Sequence, residues 1–107
     1  MPDQQANRRR SVRVPAAYPA VIKDLRGQVL ARGRTANISE TGVLVLARRK
    51  EGPPPLQEVL VELIVPALST QARPDATRTV EYHSRIVRTE VLGPLVGMGI
   101  EFLEKRR

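Results

Sequence analysis

Two short runs of residues carry most of the chemistry open to this chain. The first is Arg8-Arg9-Arg10-Ser11-Val12-Arg13, in which Arg9 and Arg13 close an Arg-x-x-x-Arg spacing and Arg8 stands just before it. A guanidinium is a planar fork of donors that grips phosphate oxygens in pairs and matches the O6/N7 edge of guanine. Several on one segment could clamp an anion or stack on a base; they could equally remain a solvated basic tail. The second run is Asn37-Ile38-Ser39-Glu40-Thr41-Gly42. On an extended strand Asn37, Ser39 and Thr41 share one face, because side chains alternate. Such a row could read a base edge and a phosphate, with Gly42 permitting a left-handed turn or close approach of a ligand to backbone. The same residue types also cap turns between strands, and the spacing leaves both uses open.

Other chemistries are poorly supplied. The chain has no cysteine, which excludes disulfides, thiolate metal sites and a cysteine nucleophile, and its one histidine, His83, excludes a multi-histidine metal site. Asp24, Glu58, Glu62, Glu81, Glu90, Glu101 and Glu104 are scattered, with no spacing that suggests a general acid and base. The glycines are isolated, so there is no phosphate-binding loop, and no nucleophile elbow is present. His83 has no carboxylate neighbour in sequence and reads as a partly exposed strand residue; Tyr82 reads as core or barrel rim. The expectation is a binding protein with no catalytic residues, no metal and no cofactor.

Charge says what would be bound. Lys and Arg number 18 against 11 Asp and Glu, for a net charge of +7, and only Lys23, Lys50 and Lys105 are lysines. An arginine-rich surface suggests an anionic partner without distinguishing nucleotide, nucleic acid or acidic membrane. No apolar run approaches the roughly 20 residues of a membrane span, and the polar N-terminus lacks a signal-peptide core. A cytoplasmic protein is expected.

The elements that must position these groups are strands. Val, Ile, Leu and Phe make up 30 of the 107 residues, above the level of roughly one fifth at which chains remain disordered, and aromatics are few, so the core is aliphatic. The length suits one domain. Residues 1–7 read as a disordered tail and 8–14 as a basic arm held extended by Pro15 and Pro19; residues 105–107 read as a second solvated tail. Strands are expected at Ala20–Asp24, Val29–Ile38, Gly42–Ala47, Glu58–Val65, Thr79–Thr89 and Leu95–Leu103. Turns are placed at Leu25–Gln28, around Gly27, and at Val91–Pro94. Arg48–Leu56, with three consecutive prolines, and Ala67–Thr77 are loops. Only Glu101–Arg107 has helical potential, two turns at most. Six short strands at this spacing predict an all-β, six-stranded antiparallel barrel or sandwich.

Taken together, Arg9-x-x-x-Arg13 and Asn37-x-Ser39-x-x-Gly42, in this order on an all-β chain, resemble the PilZ domain, the bacterial receptor module for cyclic di-GMP. Val96-Gly97-Met98-Gly99-Ile100-Glu101-Phe102 is similar to the final strand of that family, and Arg85-Ile86-Val87-Arg88 to its fifth. The resemblance covers residues 8–104. It implies a six-stranded antiparallel barrel with the arm folded over one face. It also implies that Arg9 and Arg13 contact ligand phosphates and a guanine edge, that Asn37 faces the guanine Watson–Crick edge where many members carry Asp, that Ser39 donates to ligand or motif backbone, and that Gly42 keeps the turn clear. Arg8 fills the position that accompanies a stacked pair of ligands in the family. Many members end in a helix packed on the barrel, for which little sequence remains here.

The leading expectation is therefore a cyclic di-GMP receptor or adaptor. It would order its arginine arm on binding and signal to a protein partner in motility, surface or biofilm regulation. A small basic barrel that binds nucleic acid is disfavoured, since three aromatics offer few stacking platforms. The remaining alternative is a PilZ-like module that has lost its ligand and serves only to dock proteins.

Overall fold

The computed structural model describes residues 17–48, 54–67, 73 and 75–106. The arm and the N-terminal tail, with Arg8, Arg9 and Arg13, lie outside the described residues, while of the expected C-terminal tail Lys105 ends the last strand and Arg107 alone lies outside. Six strands follow in order: β1 (Pro19–Lys23), β2 (Val29–Ile38), β3 (Gly42–Arg48), β4 (Glu58–Pro66), β5 (Thr77–Leu92) and β6 (Leu95–Lys105). Every pairing is antiparallel, and the strands close into a barrel in the order β1-β2-β3-β6-β5-β4, with β4 returning to β1. The expected all-β barrel is present, and the described residues contain no helix.

Alternation builds the interior. Along β3, Val43, Val45 and Ala47 are buried while Leu44 and Leu46 face outward, half-buried. Val59, Val61 and Leu63 of β4 do the same, and Ile22, Ile86 and Met98 complete an aliphatic core in which each of these six is fully covered. At about 25 cal/mol per Å² of apolar surface removed from water, such side chains supply the main term holding the barrel shut. Tyr82 and Phe102 pack against this core, their rings stacked with centroids 4.0 Å apart and planes 11° apart.

The turns follow from side-chain chemistry. Between β1 and β2 the Asp24 carboxylate Oδ1 accepts from the amides of Arg26 and Gln28, both at 2.9 Å, and Gly27 takes the positive φ of 95° that a side chain would resist. Gly93, at φ 63°, serves the β5–β6 turn in the same way.

Some boundaries differ from expectation. β5 runs Thr77–Leu92, longer at both ends than the alternating segment, because its C-terminal half pairs only with β6 while its N-terminal half pairs with β4. Residues 101–105 continue β6 as strand; Tyr82 and His83 of the longer β5 give Lys105 and Glu104 pairing partners, so helical potential is overridden by the ladder. Pro66 is the last residue of β4, opposite Thr77, rather than its terminator. His83 does have a carboxylate neighbour once the sheet forms: Glu58, diagonally across β4–β5, brings Oε1 to 2.7 Å from Nε2.

Candidate functional site

A cavity of about 290 Å³ lies on the outer face where β2, β3, β6 and β5 meet near the β2–β3 turn. It brings together Asn37, Ser39 and Gly42, three of the expected site residues, and adds Thr41, Arg88, Gly99 and Glu101.

Asn37 reaches the cavity through an irregularity. Thr35 pairs with Val45 and points into the barrel, where it is 3% exposed. Without interruption Asn37, two residues on, would point inward too. The ladder instead skips Ala36 and pairs Asn37 with Leu44. This bulge places two residues of β2 against one of β3 and turns Asn37 to the outer face, a recognised use of bulges next to binding sites.

Ser39 and Thr41 do not continue a strand row. β2 ends at Ile38, and Ser39 begins a tight turn. Its amide donates to the Gly42 carbonyl at 2.9 Å, its hydroxyl lies 3.4 Å from the same oxygen and 3.3 Å from Thr41 Oγ1, and the Thr41 amide approaches Ser39 Oγ at 3.3 Å. Of the two uses open to these residues, a shared strand face and a capped turn, the structure has the capped turn, because a serine hydroxyl can satisfy backbone groups that lack a ladder partner. Ser39 shapes the cavity rim as well as lining it.

Gly42 is required by close approach and not by a left-handed turn. A Cβ built there would stand 2.3 Å from the Ile100 carbonyl oxygen, which leaves no room for a side chain between β3 and β6. On the far wall, Gly99 lies beneath Arg88: a Cβ at Gly99 would stand 2.8 Å from both Cγ and Nε of that arginine.

The chain entering β1 is tied to the same end of β2. The Tyr18 amide donates to Thr35 Oγ1 and the Thr35 amide to the Tyr18 carbonyl, both at 2.9 Å, while Arg34 Nη2 donates to the Ala17 carbonyl at 2.9 Å. With Pro19 opposite Arg34 and Tyr18 bonded to Thr35, the chain from Pro19 back to Ala17 runs along β2 in the direction of Asn37.

Arg88, Gly99 and Glu101 are the cavity residues that sequence reasoning missed. One signal was available: Arg88 has the parity of Ser84 and Ile86, both at 0% exposure. An arginine at an inward position of an apolar strand implies either a buried charge or a break in register.

A closed six-stranded antiparallel barrel with a polar hollow on its outer face defines a small β-barrel module. The chain belongs to the PilZ domain family, whose family model matches residues 7–107. Among solved structures, it is similar to the Bacillus subtilis inhibitor of motility (MotI/DgrA), with a TM-score of 0.72 at 20% identity; the match covers 92% of this chain and 44% of that one. The chain thus spans less than half the length of that protein. No curated protein sequence matches it.

Proposed function

We propose that this protein is a receptor module for cyclic di-GMP that acts through another protein. The observation that carries the reading is the Ala36 bulge, which aims Asn37 at a polar hollow beside the end of β2 to which Ala17 and Tyr18 are tied. Arg13 precedes Ala17 by four chain steps, a reach of at most about 14 Å, which allows Arg13 to meet a ligand seated against Asn37. The ligand suits such a pair. Its phosphodiesters are anionic, matching Arg9 and Arg13 with Arg8 beside them. Its guanines carry N1–H and N2–H donors for the Asn37 carbonyl and an O6/N7 edge for a guanidinium. Membership of the PilZ family supports the same reading.

The described residues offer no group of three or more His, Asp or Glu side chains that could hold a metal, and no helix among them is long and apolar enough to cross a membrane. The chemistry proposed is binding followed by a change of surface. A receptor that orders an arm over its barrel presents a new face to a partner. The Bacillus subtilis protein of similar structure is an inhibitor of motility, and control of a motility or surface process by docking is the corresponding role proposed here.

Calorimetric titration with cyclic di-GMP, with GTP and GMP as controls, tests the reading. Saturable heat for cyclic di-GMP alone is expected, abolished in Arg13→Ala with the thermal midpoint unchanged. The molar ratio then distinguishes one ligand from a stacked pair. Absence of heat and of thermal shift at high ligand concentration would refute it.

A further inference from the structure

We infer that Arg88 is a ligand-contacting residue of this cavity that reads the O6/N7 edge of a guanine, and that Gly99 is the bare stretch of backbone on which it lies. The inference rests on the reading of the hollow as a cyclic di-GMP site and adds a base-reading residue contributed by β5.

The first argument is register. Ile86 pairs with the buried Ile100, and the next pair in the ladder is Arg88 with Gly99, so Val87 is the extra residue. In an unbroken β5, Arg88 would follow Ser84 and Ile86 into the apolar interior, where an unpaired charge is strongly disfavoured. The bulge turns it outward. Arg85 of the same strand is exposed with no such device. A solvated arginine therefore needs no bulge, whereas an arginine delivered to this particular row does.

The row is the second argument. Asn37 pairs with Leu44, Leu44 with Gly99, and Gly99 with Arg88, one continuous line across four strands. Two independent bulges, on its first and last strands, turn an amide and a guanidinium to the same outer face at its two ends. Three inter-strand steps of about 4.8 Å set them about 14 Å apart at the backbone. Between them lies a leucine and a glycine, a flat and largely apolar floor that suits the face of a base better than a phosphate.

The third argument is availability. Arg88 has no ion-pair or hydrogen-bond partner among the described residues, and its Cγ and Nε lie where a Cβ at Gly99 would stand, both at 2.8 Å. Glycine is what lets the side chain lie down against β6. The guanidinium is poised and uncommitted, and a guanine O6/N7 edge takes it in a bidentate pair.

The experiment is a binding cycle with two proteins and two ligands: the unchanged chain and Arg88→Ala, each titrated with cyclic di-GMP and with its 7-deazaguanine analogue, which lacks N7. Arg88→Ala is expected to weaken cyclic di-GMP by about tenfold to a hundredfold, with far-ultraviolet dichroism and thermal midpoint unchanged because the residue is exposed. The analogue is expected to bind the unchanged chain more weakly than cyclic di-GMP does, and this penalty should shrink in Arg88→Ala. Unchanged affinity in Arg88→Ala, or an analogue penalty of the same size in both proteins, overturns the inference while leaving the receptor reading intact. If the unchanged chain binds neither ligand, the receptor reading fails and this inference with it.

Discussion

β2 and β3 border two hollows, one toward each end, and the two are built differently. The hollow by Asn37, Gly42 and Leu44 sits where the β2–β3 and β5–β6 ladders each slip by a residue. The other, about 200 Å³, is lined by Val29, Leu30, Arg32, Arg48 and Pro54, and lies just beyond the Gly33–Ala47 pair of β2 and β3, beside a β1–β2 bulge at Leu30. Both contain arginine. Only the first combines it with an outward-turned amide, a hydroxyl-capped turn and a glycine floor. Basic charge comes readily to any exposed strand position, whereas a directed set of donors and acceptors required the sheet to break its own alternation twice.

The largest effect should come from breaking the close approach at the first hollow. Gly42→Val places a side chain where a Cβ alone would already stand 2.3 Å from the Ile100 carbonyl oxygen. Backbone must move, at a cost of about 3 kcal/mol or more, which urea denaturation will read as a lowered midpoint. Gly97→Ala offers the contrast. Its nearest neighbours would be the side-chain ends of Leu92, Leu46 and Leu44, at 3.3, 3.5 and 3.8 Å, and these can give way; less than about 1 kcal/mol should be lost. Equal losses in the two variants would remove the close-approach account of Gly42.

Next comes the amide. Asn37→Ala removes the outward acceptor and should cost ten- to a hundredfold in cyclic di-GMP affinity, about 1.4–2.8 kcal/mol, with little change in stability because the side chain faces outward. Asn37→Asp retains the acceptor oxygen and adds a charge, and should hold affinity near that of the unchanged chain. Affinity lost as fully in Asp as in Ala would show that the amide donates and does not accept, reversing the orientation assigned to the base.

How much of this could be read in the sequence divides along the same line as the two hollows. The barrel was legible because alternation is a local signal: Val43, Val45 and Ala47 in β3, or Val59, Val61 and Leu63 in β4, announce an inner face without reference to any partner. Asn37, Ser39 and Gly42 were legible as a motif, and they do converge. Their geometry was not legible. The bulge at Ala36 is a property of two strands together, and the choice of a capped turn over a strand row at Ser39 depends on where β2 loses its partner. Arg88 betrayed itself only by its inward parity with Ser84 and Ile86, and its partner across the hollow was not legible for the same reason. The place of Arg88 beside Asn37 arises from a row through Leu44 and Gly99 that no contiguous segment contains. The pairing of His83 with Glu58 is a milder example, a diagonal contact set by β4–β5 register.

Ser39 separates shaping from contact. Ser39→Ala removes the hydroxyl that holds the Thr41 amide and Oγ1, each at 3.3 Å. About 0.5–1.5 kcal/mol of stability should be lost, visible as a lower thermal midpoint. If the hydroxyl also donates to ligand, affinity should fall by more than the loosened turn explains. Ser39→Thr restores a hydroxyl at the same backbone position, and recovery of both stability and affinity would assign the effect to that oxygen.

The smallest effect on ligand should come from the second hollow, and there the comparison is sharpest. Arg32 and Arg48 lie one position beyond the Gly33–Ala47 pair, facing the same groove, and neither has an ion-pair partner among the described residues. Two like charges so placed repel each other mildly and contribute to the net +7. If arginine content alone made a site, Arg32→Ala with Arg48→Ala would cost cyclic di-GMP affinity as Asn37→Ala does. The expected change is less than about twofold, since these side chains meet the ligand only through a field that salt screens within about 8–10 Å. What should change is retention on a polyanion such as heparin. Loss of two cations lowers the salt concentration at which the protein elutes, because each phosphate or sulfate contact releases a counterion. Asn37→Ala, which removes no charge, should elute with the unchanged chain. A double variant that keeps its heparin elution and loses cyclic di-GMP would exchange the roles of the two hollows, and would place the ligand at the other end of β2 and β3.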